Sequence, residues 1–235
     1  MLQKSEIQYS IVKMYKGMLF LAVLAVLLPL KTYGFELTGK VWPGRTMAFY
    51  VNYDSGLFDQ TFIEAANQWN GVGGFSIRTT SCKYVDPCNS VNGPDNLSGY
   101  KFSSSNCGAT WGATTLGFTR FWFVGGTQLV DADIVFNSLR SWGVHNDNTS
   151  SPFDFRRVAV HEIGHALGFR HEDSGVSTIM TSSYSSIIKT PQQDDVNGMN
   201  FMYGQMSTGN IDLDCPEGEG LFLPAILPIL LEEEE

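Results

Sequence analysis

Basic side chains are scarce in this chain. Fifteen Lys and Arg stand against 24 Asp and Glu in 235 residues, a net charge of −9. That sign argues against nucleic acid or an anionic membrane surface as partner. Histidine is scarcer still, at four residues. Cysteine is limited to Cys82, Cys88, Cys107 and Cys215, and no pair has the close CxxC spacing of a zinc knuckle. No internal repeat is present. No apolar run reaches the roughly 20 residues of a membrane-spanning helix. The run Gly17–Leu30 is too short and is interrupted at Pro29. With Lys4, Lys13 and Lys16 ahead of it and Thr32-Tyr33-Gly34 behind, it reads as a signal-peptide core, cleaved after Gly34. An N-terminal membrane anchor is the alternative. Loss of residues 1–34 leaves 11 basic and 23 acidic residues, a net charge of −12.

An even cysteine count behind a signal peptide suggests two disulfides in an extracellular protein. Of the three pairings, Cys82–Cys88 with Cys107–Cys215 is favoured: the first closes a small loop and the second ties down the C-terminus. The remaining order reads as one domain, residues 35–204, with a tail of unknown role, residues 205–235. The tail carries the apolar stretch Leu221–Leu231, broken by two prolines, and four glutamates.

Within the domain, Lys40–Asn52 alternates as a strand does. Leu57–Asn70 is an amphipathic helix with Phe58, Phe62, Ala65 and Trp69 on one face. FSIRTTS is a second strand, and residues 82–112, rich in Ser, Asn and Gly, read as a long loop. Thr115–Asn137 is a hairpin around Gly125-Gly126, with its second arm, DADIVFN, as the edge strand beside the site. SPFDFRRVAVHEIGHALGF is a helix capped by Asp154 and ended by Gly168. Thr190–Gly204 is a last helix, capped by Thr190, with Val196, Met199, Met202 and Tyr203 as its buried face.

Three of the four histidines and a glutamate fall in HEIGHALGFRH, His161–His171. His161 and His165 are one helical turn apart and project from one face, so their imidazoles can share a zinc ion. A chain reversal at Gly168 can return His171 as a third ligand. Three protein ligands leave a fourth position for water, whose pKa zinc lowers to about 7. Glu162 is then placed to act as general base, taking the water's proton and passing it to a leaving amine.

This string resembles that of the metzincin zinc endopeptidases. The resemblance implies an apolar methionine floor under the metal, and Met180 stands nine residues after His171. Within metzincins the chain is most similar to the matrixin, or matrix-metalloprotease-like, family. The short gap to Met180, Tyr184 four residues on, DADIVFN followed by Trp142, and QQDDVNGMNFMYG carry that similarity, over roughly residues 38–204. It implies an α+β, zincin-like fold. A twisted mixed β-sheet has a backing helix and an active-site helix, and a small C-terminal subdomain holds the Met-turn and final helix. In matrixins one member of the aspartate pair, here Asp194-Asp195, can bind the free N-terminal ammonium, and cleavage after Gly34 would expose Phe35; the resemblance thus implies an Asp195–Phe35 salt bridge. The aspartates can equally be helix-stabilising charges.

Some features depart from the family. GFRHE is closer to astacins, but Ser182 stands where astacins place a tyrosine ligand. No PRCGxPD switch is found, and the histidines of a second, structural zinc are missing. Calcium is compatible with the Asp- and Gly-rich loops, without assignable ligands. The sequence therefore suggests a secreted, monomeric zinc endopeptidase acting on extended protein or peptide segments. Neither nucleic acid nor a membrane is expected as a partner of the mature chain. An astacin-like peptidase and a catalytically weak zinc-containing surface-binding module are the alternatives.

Overall fold

The computed structural model describes residues 34–51, 56–211, 213 and 215. The apolar run at 17–30 and the tail at 221–231 lie outside the described residues. β1 (Thr46–Tyr50) is buried at every position and pairs in parallel with β2 (Ser76–Thr80). A parallel pair needs a crossover, and α1 (Leu57–Asn67) provides it. Phe62, Ala65 and Trp69 of its apolar face are fully buried, with Phe58 packed against the same core.

β3 (Tyr100–Ser103) lies inside the stretch that the sequence presents as a long loop. Tyr100 and Phe102 alternate there with Lys101 and Ser103, a strand signal only four residues long. β4 (Gly117–Val124) and β5 (Gln128–Asn137) form the expected hairpin. β5 lies between β3, parallel to it, and β4, antiparallel. A bridge from Tyr50 to Gly99 carries the ladder from β1 across to β3, giving a mixed sheet.

This order corrects the placement of DADIVFN. That segment belongs to β5 in the middle of its ladder, and β4 is the edge. The reason is burial on both faces. Ala132, Ile134 and Phe136 enter the main core, while Asp131 and Asp133 are covered by the loop before β3 through Asp95, Ser90 and Gly99. A hydrophobic alternation cannot distinguish an edge strand from a central one whose second face is lined by acids under a loop.

Two-residue strands β6 (Trp142–Gly143) and β7 (Phe153–Asp154) pair just before α2 (Phe155–Ala166). α2 packs on α1, where Trp69 Nε1 donates to Val160 O at 3.0 Å. α3 (Gln193–Tyr203) closes the fold. Its cap is Gln192 rather than Thr190, in a reciprocal capping box with Asp195. Met199 and Tyr203 are fully buried, while Val196 and Met202 are only half buried. Tyr203 hydroxyl donates to Leu167 O at 2.8 Å, tying α3 to the end of α2.

The disulfides are Cys82–Cys215 and Cys88–Cys107, so the favoured pairing was wrong. Residues after α3 run back past the start of β1, where Gly209 N donates to Gly44 O. They pass Arg78 of β2, whose guanidinium donates to Ile211 O at 3.1 Å. That path delivers Cys215 to Cys82, just beyond β2. The turn after β3 lifts Cys107 to Cys88, beside the Lys101–Asp86 ion pair at 2.6 Å. Sequence proximity loses here to the path of β3.

The bridge Cys82–Cys215 spans 133 residues and Cys88–Cys107 only 19. On the chain-entropy argument their removal costs about 5 and about 3 kcal/mol respectively. Cys215→Ala should therefore lower the denaturation midpoint more than Cys107→Ala does. Peptide mapping of the unreduced protein should recover Cys82 joined to Cys215; a Cys82–Cys88 peptide would overturn this connectivity.

Candidate active site

Asp154 starts α2 by accepting from Arg156 N at 3.2 Å. The helix ends in a Schellman arrangement: Gly168 N donates to His165 O and Phe169 N to Gly164 O, at 3.0 and 3.1 Å. Gly168 has φ 107°, and a Cβ there would stand 2.5 Å from Lys40 O. Only glycine allows both the backbone angle and the close approach. Phe169 then drops into the core, 2% exposed, and the chain turns to bring His171 back over the helix.

The three expected histidines converge. His171 Nε2 lies 3.3 Å from His161 Nε2 and 3.1 Å from His165 Nε2. The opposite ring nitrogens are held: His161 Nδ1 faces Ile179 O at 2.8 Å, and His165 Nδ1 faces Phe169 O at 3.0 Å. A backbone carbonyl at Nδ1 selects the tautomer that carries its proton there and leaves the lone pair on Nε2. Burial is the main cause lowering the pKa of all three, most strongly at His161. Each is thereby biased toward the neutral form that can donate to a cation. Three converging neutral imidazoles fit a borderline-soft divalent ion such as zinc.

Met180, 1% exposed, lies under this cluster. A Cβ on Gly164 would fall 2.3 Å from Met180 Sδ, so the glycine between the two helical histidines lets the methionine seat there. Met180 is positioned by its neighbours. Asp195 accepts from Thr178 hydroxyl and, at 2.9 Å, from Ile179 N. Ile179 O is the partner of His161. The carboxylate of α3 thus supports the turn that orients the first histidine. Asp195 also accepts from Gln192 N at 2.6 Å, which leaves it committed inside the fold. The Gly34 amide faces Asp194. The cause is helix phase: Asp195 is 1% exposed and points at the Met-turn, whereas Asp194 lies half-buried on the N-terminal side.

Glu162 is 6% exposed, and Thr119 hydroxyl of β4 donates to its Oε2 at 2.7 Å. Burial raises its pKa to about 7, while the Thr119 hydrogen bond, His171 and Arg157 pull the other way. Two hollows of about 580 and about 600 Å³ flank the carboxylate, and Gly117, Glu162 and His171 line both. One hollow carries Phe118, Phe121, Phe123 and Lys40; the other carries Arg140, Arg157 and Thr181–Tyr184. The site therefore sits midway along a groove beside β4.

Two lining residues escaped the sequence reading. Thr119 is 43 residues from Glu162, and nothing local announces the contact. Arg157 did carry a signal: it stands four residues before His161, on the same helix face.

A second group, Asp95, Asp131 and Asp133, brings one oxygen from each within 4.8 Å of the others. Burial, then the charge of Asp131, raises the Asp133 pKa to about 8; burial also raises that of Asp131.

Comparison with known proteins agrees with this geometry. The matrixin family model matches residues 117–204, from β4 to the end of α3. The chain is most similar to the matrixins. Matrix metalloproteinase-25 of Mus musculus is 27% identical over 189 residues, 74% of this chain and 28% of the relative. Metalloendoproteinase 1 of Glycine max is 39% identical over 75 residues, 29% of this chain and 24% of the relative. The chain thus spans about a quarter of the length of the curated relatives it matches. No helix among the described residues is long and apolar enough to cross a membrane.

Two outcomes are expected. Gly164→Ala should destabilise the fold by about 1–3 kcal/mol through the clash with Met180, read by denaturant titration; an unchanged midpoint would contradict the packing. Asp133 is the second case. Its folded pKa of about 8 lies above the ordinary aspartate value of 3.8, so the folded state binds the extra proton between those values. Its contribution is present at low pH and is lost as pH rises through that window, with a slope of at most about 1.4 kcal/mol per pH unit. In calcium-free buffer Asp133→Asn should flatten the stability–pH curve between pH 4 and about 8. An unchanged curve would remove Asp133 as its source.

Proposed function

We propose that this matrixin-like chain is a secreted zinc endopeptidase that hydrolyses peptide bonds of extracellular proteins. The observation carrying that reading is the convergence of three Nε2 lone pairs beside a buried carboxylate, midway along a groove with a free strand edge. His161, His165 and His171 would hold the zinc ion. A zinc ion held there supplies Lewis acidity, polarising a carbonyl and bringing the pKa of a ligated water to about 7.

The chain's own residues do the rest. An extended substrate segment pairs with the open side of β4 by backbone hydrogen bonds, which sets its register along the groove. Glu162 accepts the proton of the attacking water and returns it to the leaving nitrogen. Thr119 hydrogen-bonds Oε2, leaving Oε1 for the water, and fixes the carboxylate rotamer. Met180 keeps the underside of the histidines dry and apolar. Two disulfides support an oxidising compartment, consistent with secretion.

The mature chain should cleave denatured casein or gelatin, and a chelator should abolish the cleavage. Glu162→Gln should lose roughly 10²- to 10⁴-fold in rate while retaining one zinc by elemental analysis. A zinc-loaded, folded wild type that cuts neither substrate would instead favour a surface-binding module.

A further inference from the structure

We propose that the hollow on the His161 side selects an anionic side chain, so that the peptidase prefers substrates with Glu or Asp just after the cleaved bond. This deepens the peptidase reading and rests on it. Two guanidinium groups, Arg140 and Arg157, line the hollow. Both are strongly constrained. Arg157 is 3% exposed; it donates to Ser183 O at 3.3 Å and lies 5.1 Å from the Tyr184 ring centroid. Arg140 donates to Ala113 O. The Nε of each is buried without a hydrogen-bond partner.

Neither guanidinium is in an ion pair among the described residues. The groups that favour the charge on Arg157 are Tyr184, then Glu162 and Asp154. Asp154 is shared with Lys189, at 3.8 Å, and Glu162 is held by Thr119. The remaining wall mixes apolar Leu116, Phe153 and Val158 with neutral polar Thr181, Ser182 and Ser183, and Glu162 is the carboxylate in its lining. A desolvated guanidinium whose partners are carbonyl oxygens and a ring face is poorly compensated. A carboxylate entering the hollow would give it a fork-shaped, charge-assisted partner that a leucine or a glutamine cannot. The opposite hollow sets the three phenylalanines of β4 beside Lys40, which donates to Gly126 O, and Arg170, which is exposed to water, and holds no buried guanidinium. The groove is therefore asymmetric about Glu162.

The test uses the zinc-loaded mature chain and peptides identical except for Glu, Gln or Leu after the cleaved bond. The expected result is a kcat/KM for Glu roughly ten- to hundredfold above Gln, with Arg157→Leu erasing that ratio. Arg157→Lys should keep a reduced preference, and Arg140→Gln should weaken it; thermal melts check that each variant folds. Binding of the same peptides to zinc-loaded Glu162→Gln, read by fluorescence anisotropy, separates the two readings. Cleavage without discrimination between Glu and Gln overturns the pocket assignment and leaves the peptidase standing. No cleavage, but charge-dependent binding that Arg157→Leu removes, overturns the peptidase and leaves the pocket. An equal loss for all three peptides in Arg157→Leu, with the Glu-to-Gln ratio unchanged, means the arginine acts only through the fold or through Glu162, and also overturns the proposal.

Discussion

Three converging imidazoles, with His171 Nε2 only 3.3 Å from that of His161 and 3.1 Å from that of His165, are the constraint on which the rest of the structure depends. Nitrogen lone pairs at that separation repel, and three imidazolium charges would repel far more. The arrangement persists because the fold fixes two of the rings from behind. Carbonyls of Ile179 and Phe169 hold two Nδ1 atoms, and burial disfavours the charged forms. The cluster is a donor set that fits a cation, preorganised by groups outside it.

Those groups recruit distant parts of the chain. Ile179 is held by Asp195 of α3, and Phe169 is placed by the left-handed Gly168 and the N-terminal strand segment, where Thr38 N donates to Gly168 O. Glu162 is oriented from β4. The sheet edge, the helix end, the Met-turn and the last helix thus meet at one point. A substitution at Asp195 or Gly168 would act on the histidines as surely as one beside them.

The histidine string was legible because its physics is local. A 3.6-residue repeat puts His161 and His165 on one face, and a glycine stop lets His171 return. The cap at Asp154, the face of α1 and the β4–β5 hairpin were legible for the same reason. What failed was non-local. DADIVFN reads as an edge strand because its acids suggest solvent, yet Asp131 and Asp133 are buried under a loop anchored by Ser90 and Gly99. The cysteine pairing followed sequence proximity, whereas the path of β3 and of the segment after α3 decides it. The aspartate pair was recognised, but which member faces the N-terminal segment depends on helix phase against a neighbour that sequence does not reveal.

The groove holds charges of both signs, and their placement has a physical consequence. Burial pushes Glu162 toward its neutral form and disfavours the charge on Arg157. Each partly offsets the other, since Arg157 lowers the Glu162 pKa and Glu162 raises that of Arg157. The arginine one turn before His161 therefore helps keep the carboxylate ionised, and an ionised carboxylate is what a general base requires. A neutral residue there would remove one of the stabilisers opposing burial, leaving Thr119 and His171. Any substrate carboxylate drawn to Arg157 would also compete for its field. A carboxylate held against Arg157 would thus tend to raise the Glu162 pKa, coupling recognition to the basicity of the group that moves the proton.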